Sequence, residues 1–146
     1  MRMYYRSRKN EMAYRKWRAE NPHSDDSCVF CKRQEWEIVE ESDLTLVVRS
    51  NHPYDLWEFR DVQEHLLVVP KRHVESLADL SAEEQVDNMN ILGRYELDGY
   101  DIYARGDGSL TRTQAHQHTH LIKTEKRAAR FGMFAPRPYI VLRIKK

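Results

Sequence analysis

Seven of the 146 residues are histidines, and three of them, His116, His118 and His120, alternate with Gln117 and Thr119. On a β-strand, side chains at i, i+2 and i+4 stand in a row on one surface. On a helix the same three would splay over about 200°. Thr119, Leu121 and Ile122 favour the extended form. A row of imidazoles supports two chemistries. A His-x-His pair can hold a metal ion, although such sites want a carboxylate close by and this segment carries none. Alternatively, a neutral imidazole is a nucleophile toward phosphorus, while its neighbours fix its tautomer and protonate a leaving group. Spacing alone leaves both open. Two residues separate a second reactive pair, Cys28 and Cys31. Cys-x-x-Cys binds zinc or does redox chemistry, and the redox form normally opens a helix in a βαβ setting that this segment lacks.

The elements that must hold these groups read as strands around one good helix. Leu44–Arg49 and His65–Val69 are short, leucine-rich or β-branched strands, joined by an aromatic and charged loop, Ser50–Glu64. Ser81-Ala82-Glu83-Glu84 is a capping box. It opens a helix whose apolar positions Val86, Met89 and Leu92 or Gly93 recur near helical spacing. A turn at Asp98-Gly99 precedes a strand over Tyr100–Arg105, and a glycine-containing loop spans 106–112. Further strands are predicted through Ala115–Ile122 and over Tyr139–Ile144, with a basic loop carrying Pro136 and Pro138 between them. Residues 9–20 suit a short helix that Asn21-Pro22 stops, and a polar loop from His23 to Ser27 leads into Cys28. The pattern is α+β.

Composition removes whole classes. The length suits one domain, with 40% hydrophobic residues to build a core. Mean hydropathy is −0.81 and 32% of residues are charged, and no window approaches the roughly 18 apolar residues of a membrane span. The charged start, Met1 to Arg6, lacks an apolar stretch behind it, which argues against a secretory signal. Two cysteines cannot build a disulfide framework. A soluble, cytoplasmic domain is expected. The net charge of +1 hides a partition: +6 over residues 1–18, −8 over 20–64, −4 over 65–120 and +7 over 121–146. Basic ends around an acidic middle either form a polyanion-binding surface or pair with the acidic segment. No zinc-finger, RNP or helix-turn-helix pattern accompanies the charge, so support for a nucleic-acid partner is thin.

Three motifs in order resemble the histidine triad (HIT) family. Cys28-Val29-Phe30-Cys31-Lys32 is similar to the Cys-x-Phe-Cys-Lys entry of its bacterial, zinc-containing members. Glu64 to Val74 resembles the segment of an apolar strand followed by Pro-Lys-x-His, and His116-x-His118-x-His120-Leu-Ile matches the motif that names the family. The resemblance covers residues 28 to 122. It implies an antiparallel sheet of about five strands with one main helix, built from 28–146 behind a basic N-terminal extension over 1–27 that carries the short helix.

The resemblance further implies a nucleotide hydrolase or nucleotidyl transferase. The substrate would be a dinucleoside polyphosphate or nucleoside phosphoramidate, cleaved at the α-phosphate through a nucleotidyl-histidine. His118 would be the nucleophile, with His120 beside the phosphate and leaving group, and Thr113 touching phosphate or leaving-group atoms. Asn51, or Ser50 in a shifted alignment, would take the ribose, unless Asn51 only forms a turn before Pro53. Arg112 would contact a polyphosphate tail. His65 would line the site or bond backbone at a strand start. Cys28, Cys31, His73 and His116 would hold a structural zinc, and family members commonly pair as homodimers through the helix and an adjacent strand. Trp57 and Phe59 either stack a base or serve as core. Gln117 and Thr119 depart from the family, which has apolar residues there. Two alternatives remain: a non-catalytic, zinc-stabilised module that binds a nucleotide or a partner, and an aprataxin-like DNA deadenylase.

Overall fold

A computed structural model describes residues 5–21, 28–32, 37–128, 131–134 and 139–142. The elements follow the chain as α1 (Arg8–Glu20), β1 (Ile38–Glu41), β2 (Thr45–Arg49), β3 (Leu56–Trp57), β4 (Arg60–Pro70), α2 (Ala82–Leu97), β5 (Asp101–Ala104), β6 (Thr119–Ala128), β7 (Phe131–Phe134) and β8 (Tyr139–Leu142). β4 contains the Leu66–Val69 run, buried throughout, and a strand apolar on both faces belongs at the centre of a sheet. It pairs antiparallel with β2 on one side and β6 on the other, giving the order β1-β2-β4-β6-β5, with β3 folded back onto β4. This is a six-stranded antiparallel sheet with two helices, an α+β fold. β7 and β8 form a separate two-stranded sheet.

Alternation along the strands assigns the two faces. Val47, Leu66, Val68 and Leu121 pack with Ile91 and Leu92 of α2. Their neighbours Leu46, Val48, Leu67 and Val69 pack on the opposite face with Val29 and Phe30, and Trp17 of α1 covers that cluster. Truncating one of these buried leucines to alanine costs about 2–5 kcal/mol. The β4–β6 register sets Leu67 opposite His120, so His120 stands on the face away from α2.

Several boundaries differ from expectation. The Ser50–Glu64 stretch holds a hairpin, with Glu58 and Phe59 at φ 47° and 61° between β3 and β4. Both central residues of such a turn need positive φ, and Glu-Phe carries none of the Asn or Gly that advertises it. β4 accordingly starts at Arg60, five residues before His65. The strand expected through Ala115–Ile122 begins only at Thr119, and His116 and His118 lie in the approach to it. α2 buries Glu84, Asn88, Ile91 and Leu92, while Val86 and Met89 are 62% and 66% exposed. The stripe predicted from Val86 and Met89 is therefore the outward one. β1, β3 and β7 had no counterpart in the sequence reading. The loop His23–Ser27, Pro136, Pro138 and Ile144 lie outside the described residues, whereas the stretch expected as a basic loop after Ile122 holds the end of β6, to Ala128, and β7. Among the described residues no helix is long and apolar enough to cross a membrane.

Candidate active site and metal centre

Each imidazole of the triad carries a hydrogen bond that decides which nitrogen holds its proton. A carbonyl oxygen only accepts, so a ring nitrogen facing one must carry the hydrogen. His118 Nδ1 lies 2.9 Å from the His116 carbonyl and donates to it, leaving Nε2 with its lone pair. This bond exists because the chain before Thr119 is not yet in the ladder and can fold the 116 carbonyl toward the 118 ring. Burial is the main reason that the His118 imidazole is pushed down to about 4, with the Arg112 and Arg105 charges adding to it and its bond to His116 working against it. The ring is therefore neutral at pH 7.

His120 is set by a longer chain of bonds. The Tyr54 backbone N–H donates to His65 Nδ1 at 3.0 Å. His65 consequently bears its hydrogen on Nε2 and donates it to His120 Nδ1 at 2.8 Å. The remaining hydrogen of a neutral His120 sits on Nε2, a buried atom without a partner among the described residues. Burial, then His118, His65, Arg105 and Arg6, hold His120 well below the ordinary histidine value. The His118 and His120 rings meet edge to face at 5.1 Å.

Both rings line an open cleft. His65 and Thr113 line it too, as do Ser50, Phe30 and Leu67, whereas Asn51 is exposed and outside the lining. Of the two residues offered for a ribose, Ser50 is the one at the cleft. Thr113 Oγ1 accepts a hydrogen bond from the Tyr14 hydroxyl at 2.8 Å. Arg112 is turned into its own loop: Nε donates to the Gln114 carbonyl, Nη2 to the Glu75 and Ala115 carbonyls, and Nη1 pairs with Asp107. Its charge reaches His118, but its donors clasp backbone. Trp57 packs among Tyr5, Tyr54 and Tyr103 instead of lining the cleft.

Sequence reasoning missed the contribution of the N-terminal segment. Arg6, Tyr14 and Trp17 line the cleft, together with His52. Tyr14 and Trp17 are three apart on α1, hence on one helical face, and both pack against the His52 ring, at 5.3 and 4.7 Å. That i, i+3 aromatic pair was a legible signal for a buried face, though not for what it covers. The segment docks through Asp55, whose carboxylate accepts from the Ser7 amide at 2.6 Å and from the Asn10 side chain at 2.8 Å. Part of the basic N-terminal segment thus leans on the acidic middle of the chain.

The second cluster brings together Cys28, Cys31, His73 and His116, with one donor atom from each lying within 4.8 Å of all the others. His116 Nε2 donates to the Pro70 carbonyl at 2.9 Å, which points the Nδ1 lone pair at the thiols. Nδ1 lies 3.3 Å from Cys28 Sγ and 3.7 Å from Cys31 Sγ, and His73 Nδ1 lies 3.5 Å from Cys31 Sγ. Tetrahedral bonds of zinc to sulfur and nitrogen would set such donors about 3.6 Å apart. Donor types, tautomer and spacing all fit a metal ion in a closed site.

No protein-family model matches the sequence. The architecture does match solved structures. A HIT family hydrolase from Clostridium thermocellum superposes with a TM-score of 0.56 at 21% identity, over 70% of this chain and 95% of that one. A histidine triad protein from Clostridium difficile gives 0.53 at 21% identity, over 71% and 96%. A hypothetical histidine triad nucleotide-binding protein from Sulfolobus tokodaii gives 0.56 at 22% identity, over 76% and 79%. The chain has the histidine triad fold. At these identities the likeness is one of architecture.

Proposed function

We propose that the chain is a nucleotide hydrolase or nucleotidyl transferase that works through a covalent nucleotidyl-histidine on His118. One observation carries this reading: the Nδ1 bond of His118 to the His116 carbonyl keeps an unprotonated Nε2 in a cleft walled by arginine charge. The Nε2 lone pair attacks the α-phosphorus of a dinucleoside polyphosphate or nucleoside phosphoramidate. A phosphorus–nitrogen bond to the ring forms, and the bond to the leaving group breaks with its electron pair, which stays on oxygen as an anion or, on an amine nitrogen, takes up a proton from solvent. The ring gains positive charge, and Nδ1–H shares it with the His116 carbonyl. Water or another acceptor then attacks phosphorus from the opposite side, the ring departs with its lone pair restored, and the acceptor's proton goes to solvent. His120 Nε2–H and Thr113 Oγ1 stand beside His118 to hydrogen-bond phosphoryl or leaving-group oxygens. Phe30, Leu67 and Trp17 offer an apolar wall for a base, and Ser50 a hydroxyl for ribose.

Cys28, Cys31, His73 and His116 would hold a structural zinc. When bound, the metal would supply rigidity alone, because four protein donors leave no open position for substrate. The His116 that ligates is also the residue whose carbonyl sets the His118 tautomer, so the two centres share one backbone unit. A cytoplasmic setting suits reduced thiols. Val86, Met89 and Leu97 on the outward face of α2 and Ile102 on edge strand β5 are exposed apolar residues, which favours pairing of two copies along that edge.

Rapid quenching of the protein with labelled dinucleoside polyphosphate or nucleoside phosphoramidate tests the reading. The expected result is an acid-labile nucleotidyl adduct on His118 that is absent from His118→Ala. Turnover that survives intact in His118→Ala removes the proposed nucleophile.

A further inference from the structure

We infer that Tyr14 is a positioning residue of the reaction: its hydroxyl commits the Thr113 hydroxyl to donate into the cleft, toward the phosphoryl oxygens of the bound nucleotide. The inference rests on the nucleotidyl-transfer reading above and gives the N-terminal helix a part in it.

Thr113 reaches the cleft on a loop that fixes its backbone but not its hydroxyl. Arg112, one residue earlier, donates through Nε to the Gln114 carbonyl at 3.1 Å and through Nη2 to the Ala115 and Glu75 carbonyls. The main chain on both sides of Thr113 is thereby clasped. A threonine hydroxyl still turns about its carbon–oxygen bond, with one hydrogen to give and two lone pairs to offer. Tyr14 takes one of those lone pairs, donating to Thr113 Oγ1 at 2.8 Å. The Thr113 hydrogen must then lie off the line between the two oxygens. Tyr14 is the one partner of this hydroxyl among the described residues. The hydrogen is thus left for an acceptor inside the cleft, which Thr113 lines together with His118 and His120.

Tyr14 can hold that orientation because its own ring has little freedom. It shares a face of α1 with Trp17, the two rings stacked at 6.3 Å, and His52 packs against it at 5.3 Å. The Arg6 guanidinium covers it, 4.2 Å from the ring centroid, and is itself tied by two donations to the His52 carbonyl, at 3.2 and 2.9 Å. α1 buries no residue of its own. Its bond to Thr113 is nonetheless directed, among the described residues, at the loop that leads into the triad. When His118 bonds to phosphorus, negative charge builds on the phosphoryl oxygens, and a donor already aimed at them needs no reorientation. Left to rotate, the same hydroxyl would offer those oxygens a lone pair for part of the time. The hydrogen stays on Thr113 throughout.

The test follows formation of the His118 adduct from a labelled dinucleoside tetraphosphate in single turnovers of wild type, Tyr14→Phe, Thr113→Val and the double variant. Tyr14→Phe keeps the ring and its packing. It is expected to slow the step about tenfold, the usual effect of losing an orienting partner, with half-saturation changed less than about twofold. Thr113→Val removes the donor itself and is expected to cost about 100-fold. Adding Tyr14→Phe to Thr113→Val should change the rate less than about twofold, because the group it orients has gone. Amide exchange over residues 8–20 should match wild type in Tyr14→Phe. An unchanged rate in Tyr14→Phe overturns the inference, as do costs that multiply in the double variant. So does a slowed step accompanied by faster exchange, which would make Tyr14 a docking contact of the helix. An adduct on wild type with any of these three results sinks the role of Tyr14 alone. No adduct on wild type sinks the nucleotidyl-transfer reading with it.

Discussion

His65 Nε2 donates to His120 Nδ1 across 2.8 Å, joining two residues 55 positions apart on neighbouring strands of one sheet face. The bond is directional only because the Tyr54 amide occupies the other nitrogen of His65. His65 is thus a positioning residue. In His65→Ala, His120 is free to take either tautomer or a second proton. We expect kcat/KM to fall about 10–100-fold, the usual effect of losing a group that orients a functional histidine. Nitrogen NMR of the His120 ring, which a merely structural role of His65 would leave unchanged, should change from one protonated site at Nε2 to a mixture.

His118→Ala removes the attacking atom. Loss of about 10³-fold or more in turnover is expected, as for other nucleophiles that act within a unit. His118→Ala should still bind a nucleoside monophosphate measurably by calorimetry, since Phe30, Leu67, Trp17 and Ser50 are intact around the cleft.

Metal content should be close to one zinc per chain by native mass spectrometry. Stripping it with a chelator should lower the melting temperature, because an ion bound only by the folded state stabilises by mass action. Cys31→Ala should melt low and show no rise when zinc is returned. A stripped protein that melts as before contradicts the site.

Acid should weaken the fold earlier than carboxylate titration alone would. His65 is lowered from 6.5 to about 3, by burial first, then by Arg6 and His118. Between these values the unfolded chain takes up a proton that the folded chain refuses. Stability is therefore complete above about pH 6.5 and falls on acidification, with a slope of about 1.4 kcal/mol per pH unit from this group. Urea melts at about pH 5 should lie about 2 kcal/mol below those at pH 7, and His65→Ala should flatten part of that difference.

Asp55 ties α1 to the sheet domain through the Ser7 amide and the Asn10 side chain. Asp55→Ala should release the helix locally without unfolding the core, since α1 has no buried residue of its own. Amide exchange over residues 8–20 is expected to quicken about fivefold or more, equivalent to about 1 kcal/mol. Exchange in β4 should stay slow.

Features governed by near neighbours were legible in the chain. The capping box at Ser81 and Glu84 starts α2 where the spacing says, and Asn21 ends α1. The His-x-His-x-His spacing and the order of the cysteine, Pro-Lys-x-His and triad motifs pointed to a fold that the coordinates share, and to four metal-type donors that converge. Each depends on a few adjacent residues, whose backbone preferences act before any long-range contact exists. Tertiary packing decided the rest. Tyr14 reaches Thr113 across 99 residues, and Arg6 reaches His52 across 46. No local propensity encodes that a charged, polar helix will close one wall of a cleft. Arg112 shows the same limit from the other side. Its type suggested a phosphate ligand, yet the loop carbonyls around it claimed its donors. The tautomers of His65, His118 and His120 belong to this second group, because each is set by a partner that only the folded chain brings within hydrogen-bond distance.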